Sequence, residues 1–121
     1  MKAKIERINP YLNVKDVAKS LDYYIDVLGF KLHTKSPNLG IVEQDGHQIY
    51  LRSNKNETSP HQVWIVVEDL DVLWREVKKN GAMITEEPTN YSWAYQMTIK
   101  DLDENLLIIG TTPIARMDVM D

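Results

Sequence analysis

The sequence predicts an α+β fold: two tandem βαβββ units whose strands build a partly closed, mixed eight-stranded sheet around a cleft, with the helices packed outside. Three observations predict it. A strand, an acidic turn, an amphipathic helix and a terminating glycine occupy residues 10–32, PYLNVKDVAKSLDYYIDVLGFKL, and the same order restarts at Trp64. Val14 and Asp16 correspond to Val67 and Asp69 at one constant offset, so the halves read as diverged copies of a single unit. The chain of 121 residues, 43% hydrophobic and 26% charged, suits one compact domain able to bury roughly two-thirds of its unfolded surface. Within that single domain, 1–121, the first unit is expected over 5–52, a linker over 53–61, the second unit over 62–111 and a tail over 112–121.

Each element has its own warrant. Residues 7–14 alternate, with Ile8, Pro10, Leu12 and Val14 on one face and Asn9, Tyr11 and Asn13 on the other. Pro10 has no amide donor, so this strand belongs at a sheet edge. Val17, Leu21, Tyr24 and Leu28 make one apolar helical stripe that Gly29 ends. Strands follow over 30–34, 39–43 and 48–52, the last two joined across Asp45-Gly46, a hairpin signal. The polar stretch SNKNETSP then separates the units. In the second unit a strand over 62–67 leads to a helix over 70–80, striped by Leu70, Leu73, Trp74 and Val77 and stopped by Gly81. A short strand over 82–85, a loop over 86–91, and strands over 93–100 and 106–111 complete it. The tail carries no periodic signal, and fraying is expected there.

Composition narrows function. There is no cysteine, which excludes disulfides and thiol chemistry and fits a cytoplasmic protein. The apolar runs are too short for a membrane span, and residues 1–10 lack the hydrophobic block of a signal peptide. A net charge of −4 with scattered basic residues argues against nucleic acid and favours neutral or cationic ligands.

Two βαβββ units, the V-x-D turn before each helix, LGF after the first helix and D-x-D-x-N in the last hairpin resemble the vicinal oxygen chelate superfamily of glyoxalases, extradiol dioxygenases and bleomycin resistance proteins. NLGIVEQDGHQIYLRS, QVWIVVEDLDVLWREV and SWAYQMTIKDLDENLL are most similar to bleomycin resistance proteins, and Trp93 falls on a tryptophan that those proteins carry. The chain departs from their pattern at Ala94, Leu102 and Glu104. The fold hosts several chemistries, so the resemblance implies architecture more firmly than activity.

In metal-dependent members of that superfamily, four inward side chains on the first and fourth strands of each unit hold a divalent ion. Carried over, those positions are Asn9, Tyr50, Gln62 and Ile108, which offer two amides, a phenol and a hydrocarbon instead of histidines and carboxylates. No metal and no cofactor are expected. His33, His47 and His61 show no metal spacing and read as ordinary polar residues.

The residues sharing a face with those positions are Asn9, Tyr11 and Asn13, then Gln48, Tyr50 and Arg52, then Gln62, Trp64, Leu106 and Ile108. Aromatic faces, apolar patches and amides suit a flat or extended organic molecule, and no base or nucleophile stands among them. The same rings would equally plug a closed barrel or line a subunit interface. The expected protein is a metal-independent binding protein of bleomycin-resistance type, holding a small organic ligand at Asn9, Tyr11, Asn13, Gln48, Tyr50, Arg52, Gln62, Trp64, Trp93 and Ile108 in a cleft closed by a homodimer. The other readings are a metal-dependent lyase, isomerase or dioxygenase, and an interaction module.

Overall fold

The computed structural model describes residues 3–53, 60–115 and 117–120. The first unit contains β1 (Tyr11–Val14), α1 (Val17–Asp22) with a π-helical continuation (Tyr23–Val27), β2 (Lys31–Lys35), β3 (Leu39–Gln44) and β4 (His47–Ser53). The second contains β5 (Gln62–Val66), α2 (Leu70–Lys79), β6 (Met83–Asn90), β7 (Tyr95–Lys100) and β8 (Leu106–Thr111). The eight strands divide into two mixed four-stranded sheets of identical order, β1-β4-β3-β2 and β5-β8-β7-β6. In each the outer first strand runs parallel to the fourth, and the rest pair antiparallel. Most of the predicted linker, residues 54–59, lies outside the described residues.

Alternation decides which side of each sheet is buried. Leu12, Val14, Val42, Ile49 and Leu51 of the first sheet and Met97, Ile99, Leu107 and Ile109 of the second join one core with Val17, Leu21, Leu70 and Val77 of the helices. The opposite, helix-free faces are open: Tyr11 is 46% exposed, Trp64 50% and Val66 69%. At roughly 25 cal/mol per Å² of apolar surface removed from water, the shared core supplies the main drive for folding. α1 packs close because Gly40 has no side chain; a Cβ there would lie 2.8 Å from Leu21 Cδ2.

The helix ends repeat as the strands do. Asp16 and Asp69 cap α1 and α2, and Gly29 and Gly81 leave them at φ +88° and +89°, where glycine alone is unstrained. Asp45 and Gly46, at φ 51° and 82°, join β3 to β4 in a two-residue turn that matches strand twist.

Asp101 and Asn105, both almost fully buried, bind the two units together. Asp101 accepts from Tyr24 OH at 2.8 Å and from the amides of Asp103 at 2.8 Å and Asn105 at 2.9 Å. The Asn105 carboxamide donates to the Asn13 carbonyl at 3.0 Å and to Asp101 at 3.0 Å, and accepts from the His61 amide at 2.8 Å. Burial, and then the Asp101 carboxylate, hold the Tyr24 phenol well above its ordinary range.

Five expectations need correction. β1 starts at Tyr11 rather than residue 7, since Pro10 contributes only its carbonyl, to Tyr50 N at 3.0 Å; Asn9 therefore precedes the strand. The first helix passes from α to π after Asp22, which buries Tyr23 beside Tyr24; the Tyr23 hydroxyl donates to Lys100 O at 2.9 Å and accepts from Met83 N at 3.0 Å. β6 runs on through the predicted loop to Asn90, its register shifting at two irregularities, the second of which spans Pro88. β7 begins at Tyr95, leaving Trp93 in the turn before it. The described part of the tail is held rather than frayed: Asn90 exchanges hydrogen bonds with Ile114 and reaches Met117 O and Met120 N.

Candidate functional site

On the helix-free face of the first sheet, the parallel register sets Tyr11 beside Tyr50 and Asn13 beside Arg52. The tyrosine rings meet at 5.8 Å between centroids, tilted by 36°, and the Arg52 guanidinium lies 5.8 Å from the Tyr11 ring centre, a cation–π contact. Gln48 is buried toward the start of β4, and Asn9 is half-buried just ahead of β1. The Asn13 amide is already engaged, 3.0 Å from His61 Nε2. Ile41 is buried on this face yet stands outside the main core.

The second sheet repeats the geometry with different chemistry. Trp64 pairs with Ile108, as Tyr11 does with Tyr50, and Gln62 pairs with Leu106. The indole lies over Gly110, where a Cβ would come within 2.9 Å of Trp64 Cη2. Beyond Gly110 stand Gln96 and Thr98 of β7, and then Glu86 of β6. Glu86 Oε1 accepts from Gln96 Nε2 and Thr98 Oγ1, each at 3.2 Å, and Oε2 accepts from the Tyr91 hydroxyl. Trp93 Nε1 donates to Gln96 Oε1 at 2.9 Å, and its ring stacks on Tyr91 at 4.5 Å and 9°. The bond to Glu86 raises the Tyr91 phenol above its ordinary value, because phenolate beside carboxylate is disfavoured.

The ten sequence-predicted residues thus fall into two sets, one on each sheet. Asn9, Tyr11, Asn13, Gln48, Tyr50 and Arg52 belong to the first, and Gln62, Trp64, Trp93 and Ile108 to the second. Among the described residues no hydrogen bond or ring contact joins a member of one set to a member of the other. A cavity of about 1030 Å³ between the β3–β4 turn, the end of the first helix, β5 and α2 includes only Gln48 and Trp64 of the ten.

The four positions that would hold a metal do not fit one. Ile108 has no lone pair, Tyr50 is packed against Tyr11, and Asn9 and Gln62 offer neutral amides. Among the described residues no three His, Cys, Asp or Glu side chains gather as a metal site.

Sequence reasoning missed Glu86, Tyr91, Gln96 and Thr98. Glu86 and Tyr91 fell in the predicted loop, where Pro88 hid the strand. Gln96 and Thr98 were within reach, since they alternate with the buried Met97 and Ile99 and so had to face the open side.

The family model "Glyoxalase/Bleomycin resistance protein/Dioxygenase superfamily" matches residues 4–109. The structure is similar to TioX from Micromonospora sp. ML1, with TM-score 0.79 at 19% identity, covering 88% of this chain and 98% of that one. It is also similar to TnmS3, an antibiotic binding protein from Streptomyces sp. CB03234, with TM-score 0.79 at 20% identity over 93% and 99% of the two chains. A glyoxalase/bleomycin resistance protein/dioxygenase from Alicyclobacillus acidocaldarius matches with TM-score 0.77 at 20% identity over 97% and 98%. At such identities the likeness establishes the fold. No curated protein matches the chain.

Proposed function

Because the chain belongs to the glyoxalase/bleomycin resistance protein/dioxygenase superfamily, we propose that it is a metal-independent binding protein that sequesters a small organic molecule stoichiometrically, in a cleft closed by a homodimer. One observation carries the reading: both helix-free faces present open aromatic rings, Tyr11 and Trp64, beside positions where metal-dependent relatives would present ligands and this chain has amides, a phenol and a hydrocarbon. Tyr11, Tyr50, Trp64 and Trp93 supply stacking surfaces, and Asn9, Asn13, Gln48, Arg52 and Gln62 supply hydrogen bonds around them, with Ile108 as an apolar floor. The likeness to TnmS3, an antibiotic binding protein, supports a small-molecule ligand.

The open faces support the homodimer. Laying the first sheet of one protomer against the second sheet of its partner brings the two residue sets around one cleft, twice over. Such a pairing needs roughly 1,200–2,000 Å² of covered surface for stability. None of the described helices is long and apolar enough to cross a membrane, and the absence of cysteine supports a cytoplasmic setting.

The test is a tryptophan-fluorescence screen of antibiotics, starting with bleomycin-type glycopeptides, beside metal analysis and light scattering. The expected result is saturable quenching at one ligand per chain, no stoichiometric metal, and about twice the 14.0 kDa chain mass. Near-unit zinc, nickel or iron, with turnover abolished by chelation, would establish the metal-dependent alternative instead.

A further inference from the structure

Resting on the reading above, we propose that Glu86 makes the helix-free face of the second sheet a recognition site for a planar organic cation. A carboxylate has about four acceptor positions. Tyr91, Gln96 and Thr98 fill three of them, and all three donors are neutral. The hydrogen bonds fix the group in place without cancelling its charge. Among the described residues the ion pairs are Lys78 with Glu87 and Lys100 with Glu104, and no described cation meets Glu86.

Aromatic rings surround the carboxylate. Tyr91 stacks on Trp93, a residue 59% exposed, and Gln96 ties Trp93 to the same carboxylate. Across Gly110 lies the Trp64 indole. A flat cation therefore finds, on one surface, two electron-rich aromatic faces and a fixed negative charge that no described cation pairs. Cations over aromatic rings gain most where water is partly excluded, and a charged acceptor strengthens hydrogen bonds from a protonated amine. A neutral planar molecule would use the rings alone.

The experiment compares proflavine, a cationic tricycle, with acridone, its neutral counterpart of similar shape, by calorimetric titration of the full chain. The wild type should bind proflavine about tenfold more tightly than acridone, with a gap that narrows as salt rises. Glu86→Gln keeps a carbonyl for Gln96 and Thr98 and removes the charge; it should weaken proflavine about tenfold and leave acridone within about twofold. The wild-type comparison at two ionic strengths stands even should the variant fold poorly. Equal affinity for both dyes overturns the inference while leaving an aromatic binding face. Equal weakening of both dyes by Glu86→Gln assigns Glu86 a bracing role and also overturns it. Binding of neither dye removes the planar cation, and the antibiotic screen then decides the broader function separately.

Discussion

Asp16 and Asp69 occupy the same place in the two halves: each sits at φ −135° before a helix, and each side chain accepts from the amide three residues on, Lys19 N at 3.0 Å and Val72 N at 3.2 Å. Both replace a hydrogen bond that the first helical turn lacks. Asp16→Ala and Asp69→Ala should each cost about 0.5–2 kcal/mol, read as a fall in the urea midpoint at unchanged slope. No loss from either variant would remove capping as a source of stability here.

The Asp101 carboxylate should matter more. Removing it leaves the Tyr24 hydroxyl and two backbone amides without an acceptor in a dry environment. Asp101→Ala should therefore cost about 3 kcal/mol or more, since hydrogen bonds to charged groups contribute roughly 1.5–3 kcal/mol each and orphaned donors add to the loss. Tyr24→Phe, which removes a single donor, should cost distinctly less. Similar losses from the two would mean that the carboxylate contributes only through Tyr24.

Trp64 and Trp93 differ from core aromatics in being half open, so truncation should separate affinity from folding. Trp64→Ala and Trp93→Ala should weaken a ligand found by screening about tenfold, and cost less stability than the ~3–5 kcal/mol of a buried aromatic. Gly110→Ala gives an independent check, because its new Cβ would collide with the Trp64 ring. It should change Trp64 emission and affinity together. Retained affinity with lowered stability in all three would make the aromatics structural.

Alkaline pH tests the contact between Tyr95 and Asp71. The Tyr95 hydroxyl donates to Asp71 Oδ1 at 2.6 Å, and burial followed by this bond pushes its pKa from 10.0 to about 12. The folded state thus favours the neutral phenol. Its contribution is complete below the unfolded value near 10 and is lost as pH rises toward 12. Unfolding free energies measured on either side of that window should fall more for the wild type than for Tyr95→Phe; equal falls would show that the Tyr95 hydroxyl is not linked to stability.

Much of the architecture could be read from the residues because apolar periodicity and helix caps act locally. The stripe of Val17, Leu21, Tyr24 and Leu28 is buried as spacing requires, and the Asp45-Gly46 hairpin forms where the dipeptide allows it. What could not be read depends on distant partners. Tyr23 can be buried because its hydroxyl donates to Lys100 O and accepts from Met83 N, and no local pattern announces a π turn. The second half of β6 escaped because EEPTN is polar and contains proline, yet β7 supplies its pairing. Tyr11, Tyr50 and Trp64 followed from alternation and Trp93 from the family resemblance, whereas Glu86 gains its meaning only from Gln96, Thr98 and Tyr91 on neighbouring segments.

The Asn105 side chain touches segments 92 and 44 residues away, at Asn13 and His61, while it also holds Asp101 in its own hairpin. A repeat unit severed from its twin would lose this junction along with half of the common core, so the duplicated halves are not autonomous modules. Cooperativity belongs to the pair, and tryptophan emission and far-ultraviolet dichroism should report one coincident unfolding transition; separated transitions would show independent halves. Closure of so long a loop is entropically slow, which places docking of the halves late in folding, after each hairpin has formed.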